Sequence, residues 1–334
     1  MQLTERKKIL LDLGLRLDPT HSDWPILMER AREKNGWFTP TNVTMALNTW
    51  SKALVESEID RWLKDAPTEV KSVKTVGIVM AGNLPMVGLH DLISVLAAGH
   101  NAHIKLSSDD DVLMKHAIMT VQQRSMETDQ SFEIVDKLHG IDAVIATGSN
   151  NTARYFEYYF RNIPKIIRKN RTGIAVLRGD ESKEELTDLA DDIFSYFGLG
   201  CRNVSQIFVP KNMDLVRMID CFEKYEGHQH HHKYANNYTY HKAIFLMNLN
   251  VHLDNGFLLI KESNDLHAPL SCLFYHKYDD LSEVVDFIAR RKDEIQVVAS
   301  NVPAMGDVAL GRTQQPQLTD YADGVNTLRF MQNL

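Results

Sequence analysis

The chain has 334 residues, which at about 150 residues per domain is enough for two domains with ordinary hydrophobic cores. Charged residues make up 24% and apolar residues 44%, so neither a disordered chain nor a small disulfide-stapled scaffold is expected. With 37 basic and 44 acidic residues the net charge is −7, the wrong sign for binding nucleic acid or anionic lipid by bulk electrostatics.

Cysteine usage and hydropathy indicate the compartment. The three cysteines, Cys201, Cys221 and Cys272, are odd in number and widely spaced, which argues against a disulfide framework and for a reducing environment. The longest apolar region, residues 76–89, is interrupted by polar and proline residues, so no signal peptide or membrane span is expected. These features predict a cytoplasmic protein.

The first half of the chain changes its periodicity near residue 74. Residues 1–65 carry helical periodicity on either side of a turn at residues 35–42 (NGWFTPTN), which predicts a helical N-terminal region. Beyond residue 74, short apolar strands alternate with helices, as a mostly parallel, doubly wound sheet requires. The predicted strands begin near residues 74, 101, 132 and 142, and the predicted helices cover residues 86–99, 108–127 and 150–160.

A second series of strands and helices begins at residue 172. Its predicted elements are a strand at 172–179, a helix at 182–197, a strand at 203–210, a helix at 215–225 and strands near 243–247, 271–276 and 295–299. No repeat or flexible linker divides the chain, so the boundary is placed at a hinge near residue 171. The predicted domains are therefore residues 1–170 and 171–334.

Two segments of the first half carry polar side chains directly after predicted strands. In MAGNLP (80–85), Asn83 lies where open α/β proteins bind ligands, and its amide could donate to an oxyanion. A plain strand-to-helix turn explains the same residues. In IKLSSDD (104–110), Lys105 could reach a ribose or a phosphate, whereas a solvated lysine at a strand end is the simpler interpretation.

A third segment, IATGSNNTA (145–153), runs from a strand through Gly148 and Ser149 into a helix. Free N–H groups and the positive end of the helix dipole could bind a pyrophosphate there. Helix capping by Ser149 or Asn150 explains the segment without a ligand. Both interpretations stay open on local sequence.

The fourth segment, FGLGCRN (197–203), places Cys201 after two glycines and before a strand, outside any apolar periodic run. A thiol on such a turn beside Arg202 can be exposed and lowered in pKa towards the thiolate, as a nucleophile requires. Cys221 and Cys272 lie in apolar runs and are expected to be small buried residues.

Together and in this order, the four segments resemble the aldehyde dehydrogenase superfamily. The closest resemblance is to its acyl-CoA reductase branch, which includes the fatty acyl-CoA reductase of bacterial bioluminescence. The separations are 22 residues from 83 to 105, 43 from 105 to 148 and 52 from 149 to 201. The superfamily match covers residues 70–300, and the segments NGWFTP and GVNTLRFM resemble the reductase branch alone.

The resemblance implies an α/β fold with a doubly wound, Rossmann-type cofactor domain and a second α/β catalytic domain. Residues 1–170 would hold the helical N-terminal region and the dinucleotide, and residues 171–334 the nucleophile. Cys201 is implied as that nucleophile, and the Asn83 side chain with the backbone N–H of residue 201 as the oxyanion hole.

The resemblance also implies a cofactor site. Lys105 would hold the adenosine ribose, and Gly148 with Ser149 would lie under the pyrophosphate. NAD-preferring relatives have an acidic residue where this chain has Ser108, and the missing carboxylate removes repulsion towards a 2′-phosphate. NADPH is therefore the expected cofactor, with NADH as the alternative.

Three departures from the superfamily bear on function. The stretch PKIIRKNRTG (164–173) has no acidic residue where hydrolytic aldehyde dehydrogenases carry a water-activating glutamate. The usual segment that contacts the nicotinamide ribose is missing near residues 266–272. The chain has little room before residue 74 for the oligomerisation hairpin, so a homo-oligomer is neither implied nor excluded.

The expected function is reduction of an acyl-CoA to an aldehyde through an acyl-cysteine, with CoA as part of the substrate. An aldehyde-oxidising enzyme and a redox-inactive acyl carrier or acyltransferase on the same scaffold are the alternatives. The basic residues Lys165, Arg168, Lys169 and Arg171 either meet the CoA phosphates or form a solvated loop.

A histidine-rich stretch, GHQHHHKYANNYTYH (227–241), suggests a protein of a different class, a metal-binding module. No carboxylate or cysteine is interleaved among its histidines, and their spacing matches no closed zinc site. The stretch is therefore expected to be an irregular loop, exposed or near the substrate, with no metal bound.

Overall fold

The computed structural model describes residues 1–124 and 126–334 of the chain. These residues form two compact units, one of residues 1–170 with 316–334 and the other of residues 171–315. The chain passes from the first unit to the second between Asn170 and Arg171. Residues 316–334, predicted to be part of the second domain, lie with the first unit instead.

The N-terminal region of the first unit is helical. Its helices are α1 (Leu3–Arg16), α2 (Trp24–Lys34), α3 (Pro40–Ala53) and α4 (Glu56–Trp62). Helix α3 begins within the turn at residues 35–42. The Thr39 side chain caps the helix by accepting a hydrogen bond from the N–H of Asn42, and Pro40 occupies the first helical position. Apolar side chains such as Leu10, Leu13 and Leu47 join the core beneath the sheet.

The sheet of the first unit is entirely parallel. Its strands are β1 (Thr75–Val79), β2 (Asn101–Lys105), β3 (Phe132–Ile134), β4 (Ala143–Thr147) and β5 (Lys165–Arg168), in the order β3-β2-β1-β4-β5. The accompanying helices are α5 (Leu89–Ala98), α6 (Asp111–Gln122), α7 (Met126–Ser131) and α8 (Asn150–Tyr159). The strand order reverses between β1 and β4, and ligands bind open α/β sheets at such a switch point, beyond the carboxyl ends of the strands.

The second unit contains a six-stranded sheet with the order β11-β6-β7-β10-β9-β8. In chain order its elements are β6 (Thr172–Val176), α9 (Lys183–Phe194), β7 (Val204–Pro210), α10 (Leu215–Asp220), α11 (His232–Met247), β8 (Leu253–Asp254), β9 (Leu259–Glu262), β10 (Cys272–Tyr278), α12 (Leu281–Arg290) and β11 (Ile295–Ala299). Every pairing is parallel except that of β8 with β9.

Residues 316–334 are attached to the first unit by polar side chains that hold their backbone. The chain ends with helix α13 (Thr327–Gln332). His90 donates from Nε2 to the carbonyl of Leu318 at 3.0 Å, and His100 donates from Nε2 to the carbonyl of Met331 at 2.9 Å. The sequence gives no signal for this return, because the contacting residues are more than two hundred positions apart.

Two local predictions were wrong. The apolar run at 243–247 is part of α11 and not a strand, since a run this short has no length that separates a strand from a helix. Strand β5 was not predicted, because cations stand at both of its ends. Among the described residues, no helix is long and apolar enough to cross a membrane.

Candidate active site

Cys201 lies at the corner of a tight turn that connects α9 to β7. The N–H of Asn203 donates to the carbonyl of Gly200 at 3.0 Å, so residues 200–203 form a β-turn with Cys201 at its second position. Cys201 is exposed and forms no disulfide. Cys201 is thus an exposed residue on a turn at the amino end of β7.

The side chain of Asn203 ties this turn to the end of α9. Its Oδ1 accepts from the N–H of Gly200 at 2.8 Å, and its Nδ2 donates to the carbonyls of Asp192 and Ser195 at 3.0 and 2.9 Å. The last carbonyls of a helix have no partner within the helix, so this amide satisfies acceptors that would otherwise be unpaired. One buried side chain therefore fixes the turn to the helix before it.

The chain reaches the turn through a left-handed stretch. Tyr196 and Phe197 have φ angles of 53° and 59°, a conformation that costs a residue with a side chain roughly 1–2 kcal/mol. Packing compensates for part of that cost, because the Phe197 ring lies 4.6 Å from the ring of His228 and 4.3 Å from that of His231, measured between centroids.

Strand β6 passes so close to the turn that only glycine fits at its second residue. The N–H of Gly173 donates to the carbonyl of Asn203 at 2.9 Å. A Cβ at residue 173 would lie 2.7 Å from the carbonyl oxygen of Arg202 and 2.8 Å from that of Asn203. The backbone of β6 thus supports the turn.

Arg202 is fixed to a segment much later in the chain. Its Nε donates to the carbonyl of Thr313. The carboxylate of Asp192 accepts from the N–H of Gly311 at 2.7 Å and from the N–H and hydroxyl of Thr313 at 2.9 and 2.8 Å. Burial raises the pKa of Asp192 to about 6, against the lowering effect of these bonds, so the group is largely ionised at pH 7.

In the first unit, Asn83 is exposed on the loop between β1 and α5. The loop turns at Met86, whose φ is 58° and whose N–H donates to the Asp110 carboxyl group at 2.6 Å. Burial raises the pKa of Asp110 well above its usual value, and its Oδ1 has no hydrogen-bond partner among the described residues. Asp110, which the sequence did not single out, therefore supports the loop that carries Asn83.

Lys105 is the last residue of β2, the neighbour of β1, and Ser108 lies three residues further on. Both side chains are exposed, and Lys105 Nζ donates to the carbonyl of Asp136 at 3.3 Å. Asp109 is exposed as well, so a carboxylate lies directly after Ser108, although position 108 itself has none. A Cβ on Gly82 would lie 3.0 Å from the Asp109 Cβ, which shows how closely the loops after β1 and β2 approach.

Gly148 and Ser149 connect β4 to α8. The Ser149 hydroxyl accepts from the N–H of Thr152 at 3.2 Å, which makes Ser149 the helix cap. A Cβ on Gly148 would lie 3.0 Å from the Thr152 Cβ and 3.1 Å from the Phe156 ring. The helix has ten residues, and its first N–H groups and dipole favour an anion at this end.

The exposed face of α8 carries aromatic side chains from its middle to its C-terminal end. Tyr155, Tyr158 and Tyr159 are 75%, 70% and 76% exposed. A groove of about 520 Å³ is lined by Asn151, Arg154, Tyr155 and Tyr158. Flat rings beside a guanidinium group offer stacking and a charge-assisted bond, the contacts that a nucleotide base and phosphate use.

The predicted site residues of the first unit share one edge of its sheet. The carboxyl ends of β1, β2 and β4 lead directly into the loops that carry them, and β1 pairs with both β2 and β4. These residues are Asn83, Lys105, Ser108, Gly148 and Ser149. Cys201 belongs to the second unit.

The predicted group of cations for the CoA phosphates is not one exposed cluster. Arg168 is buried and pairs with Asp91 at 2.6 Å, because the last residue of β5 points into the unit. Arg171 donates to the carbonyl of Ile295 in the second unit at 3.3 Å. Lys169 is exposed. The interpretation that residues 165–171 meet CoA phosphates as a group was therefore wrong.

The histidine-rich stretch is helical and not an irregular loop. A 3-10 turn over Glu223–His230 leads into α11, whose Tyr234 and Phe245 are buried. Burial lowers the pKa of His228 to about 4, so its ring packs as a neutral aromatic. Within the described residues, no three His, Cys, Asp or Glu side chains are grouped as metal ligands.

The other two cysteines differ from Cys201. Cys272 is buried, and burial raises the pKa of its thiol to about 12. Cys221 is half-exposed and donates to the carbonyl of Arg217 at 3.4 Å, so it is less buried than its sequence predicts. Cys201 is the most exposed of the three cysteines.

Solved structures of aldehyde dehydrogenases match the chain over most of its length. An indole-3-acetaldehyde dehydrogenase of P. syringae, in complex with NAD+, has a TM-score of 0.66 and 13% identity over 90% of this chain and 72% of that one. Aldehyde dehydrogenase 21 of Physcomitrella patens has a TM-score of 0.67 and 10% identity over 100% of this chain and 84% of that one.

An NAD-dependent aldehyde dehydrogenase of Sinorhizobium meliloti has a TM-score of 0.67 and 11% identity over 90% of this chain and 70% of that one. No protein-family model and no curated protein matches the sequence. The chain therefore has the aldehyde dehydrogenase fold, with a Rossmann-like unit and a second α/β unit, and the predicted fold class is confirmed. The acyl-CoA reductase branch stays a prediction.

Proposed function

We propose that the protein is a nicotinamide-dependent acyl-CoA reductase that forms an aldehyde from an acyl-CoA thioester in the cytoplasm. The observation that carries the proposal is the exposed thiol of Cys201, held at the corner of a fixed turn on an aldehyde dehydrogenase fold. A nucleophile needs this combination of exposure and fixed position.

In the proposed reaction, the Cys201 thiolate attacks the thioester carbonyl and CoA leaves as a thiolate, so an acyl-cysteine remains. The Asn83 amide and the backbone N–H of residue 201 stabilise the oxyanion. The reduced nicotinamide supplies a hydride when bound. After the acyl carbon has accepted that hydride, the carbonyl re-forms, Cys201 leaves and the aldehyde is released with net uptake of one proton.

The composition of residues 164–173 favours reduction over hydrolysis. This stretch contains no carboxylate that could activate water. Arg168, in the middle of this stretch, forms the buried ion pair with Asp91. An acyl group on Cys201 would therefore survive attack by water until hydride reaches it.

The edge of the first sheet fits a dinucleotide. The N-terminus of α8, capped by Ser149, favours the charge of a pyrophosphate, and the groove beside Tyr155 and Tyr158 suits an adenosine end. We infer NADPH from Ser108, as its hydroxyl does not repel a 2′-phosphate. The neighbouring Asp109 opposes that preference, so NADH should also be accepted.

The test is to mix the protein with acyl-CoA thioesters of several chain lengths and with NADPH or NADH, following nicotinamide absorbance. Cofactor oxidation should depend on acyl-CoA and disappear in Cys201→Ala. Cys221→Ala is the matched control, since that thiol is half-exposed and outside the turn. Turnover that survives in Cys201→Ala, or a stable acyl-cysteine that NADPH never reduces, would refute the proposal.

Oxidation of free aldehydes is a second candidate, favoured by the matching structures, which are aldehyde dehydrogenases. It makes an opposite prediction about CoA. If the protein oxidises aldehydes at the same rate with and without CoA, water hydrolyses the acyl-cysteine. Aldehyde oxidation would then replace acyl-CoA reduction as the proposed function. A strict CoA requirement would support the reductase.

A further inference from the structure

The carboxylate of Asp192 is bound entirely by residues remote in sequence. Its partners among the described residues are the N–H of Gly311 and the N–H and hydroxyl of Thr313, 119 and 121 residues away. The side chain is fully buried, at 0% exposed. Asp192 therefore anchors residues 311–313 to α9 within the second unit.

The same segment holds the turn that carries Cys201. The carbonyl of Thr313 accepts from Arg202 Nε, so the residue that follows Cys201 is fixed to the segment that Asp192 binds. On the other side, the residue before Cys201 is fixed to Asn203, whose amide bonds the backbone carbonyl of Asp192 itself. Arg202, after the cysteine, is thus connected to the Asp192 carboxylate through Thr313. Gly200, before the cysteine, is connected to the backbone carbonyl of Asp192 through Asn203.

We propose that Asp192 is a positioning residue for Cys201, which acts by holding residues 311–313 so that Thr313 can anchor Arg202 beside the sulfur. The inference rests on the proposed function, in which Cys201 is the nucleophile. Asp192 itself contacts neither substrate nor cofactor in this scheme.

The chemistry of Asp192 supports a role beyond packing. Burial raises the pKa of this carboxyl, so its charged form is costly at neutral pH. Asp191 beside it adds a like charge and pairs with Lys224, while Tyr225 bonds Asp191 and also faces Asp192. A neutral side chain would be cheaper to bury, but only a carboxylate offers acceptors to three donors at once.

The first experiment compares Asp192→Asn with Asp191→Asn as the matched control. The asparagine keeps one acceptor oxygen but turns an NH2 group towards a backbone N–H, so the 311–313 segment loses part of its anchor. We expect kcat with acyl-CoA to fall roughly 10- to 100-fold in Asp192→Asn, with KM within threefold, since small displacements of a nucleophile cost about this much. Amide hydrogen exchange at residues 200–203 should become faster. Asp191→Asn should change neither.

A second pair keeps the proposal testable if Asp192→Asn does not fold. Thr313→Val removes the hydroxyl donor at nearly constant volume, and Thr313→Ser restores it. We expect the valine variant to lose kcat and the serine variant to recover it. Unchanged kcat in Asp192→Asn, equal losses in both Thr313 variants, or faster exchange without any loss of kcat would overturn the proposal. Failure of the proposed function is distinguishable, because turnover would then be absent from the wild type or would survive in Cys201→Ala, whereas the hydrogen exchange at residues 200–203 would still show whether Asp192 holds the turn.

Discussion

The two units hold their proposed functional residues in different ways. At the sheet edge of the first unit, Asn83 and Ser108 are exposed on loops and Lys105 is exposed at the end of β2. The Asp110 carboxyl group holds the Asn83 loop at the N–H of Met86, three residues from Asn83 itself. In the second unit, both neighbours of Cys201 are bound directly: Gly200 by the side chain of Asn203, and Arg202 by the carbonyl of Thr313, which Asp192 of α9 holds in turn.

This difference matches the proposed tasks. A dinucleotide is large, and its pyrophosphate and base can be held by a helix N-terminus and a groove whose side chains adapt to the ligand. A nucleophile must meet one carbon atom at one angle, so its position has to be set before the substrate arrives.

The largest effect on stability is expected at the buried ion pair between Asp91 of α5 and Arg168 of β5 in the first unit. Asp91→Ala would leave the Arg168 guanidinium buried without its carboxylate, at a cost of about 3–5 kcal/mol in the free energy of unfolding. Urea unfolding measures this. The exposed Lys169→Ala should change stability by less than about 0.5 kcal/mol, and an equal loss in both variants would contradict the assignment.

Asn83→Ala is expected to lower kcat by about 10²- to 10³-fold, the usual effect of removing one oxyanion donor. Because Asn83 is exposed, the unfolding free energy should stay nearly constant. Steady-state kinetics with acyl-CoA, together with thermal unfolding, separate the two effects. Unimpaired turnover would remove Asn83 from the proposed oxyanion hole.

The buried carboxyl of Asp192 should make stability depend on pH. The pKa of Asp192 in the folded protein is about 6, above the ordinary 3.8, so the folded state binds the proton more tightly than the unfolded state. The stabilisation of the folded state by this proton is complete below about pH 4 and is lost as pH rises through 6. The stability of the wild type relative to Asp192→Asn should therefore fall by about 3 kcal/mol between pH 4 and pH 7. Urea unfolding at intervals across this range measures it, and a constant difference would contradict the pKa.

Gly173→Ala should disturb the Cys201 turn, because the new Cβ would lie 2.7 Å from the carbonyl oxygen of Arg202. We expect a loss of about 1–3 kcal/mol in stability, as for other overpacked sites, and a fall in kcat. Gly227→Ala is the matched control, since no atom lies within 4 Å of its added Cβ. Equal behaviour of the two variants would show that β6 does not support the turn.

The smallest effect is expected at the adaptable edge of the first unit. Asp109→Ser removes one exposed carboxylate beside Ser108, and a single charge contact in water is worth about 1 kcal/mol. The ratio of kcat/KM for NADPH to that for NADH should therefore rise about five- to tenfold. An unchanged ratio would place Asp109 away from the 2′-position of the cofactor.

The sequence predicted the alternation of strands and helices well, because buried parallel strands read as short apolar runs with turns between them. It offered Ser149 or Asn150 as a helix cap, of which the structure has Ser149, and placed Cys201 on a turn where it could be exposed, both from local residue types. It failed at 243–247 and at β5, where apolar runs were too short or too charged to show a period.

What the sequence determined by itself was therefore local, namely the type of most elements and the residues with chemistry in the loops between them. Tertiary structure alone decided that Arg168 is buried against Asp91, that residues 316–334 return to the first unit and that Asp192 reaches Thr313. The physical reason is that hydrogen bonds and ion pairs between distant residues leave no periodic trace in either segment, because each partner is a common polar residue until folding brings the two together.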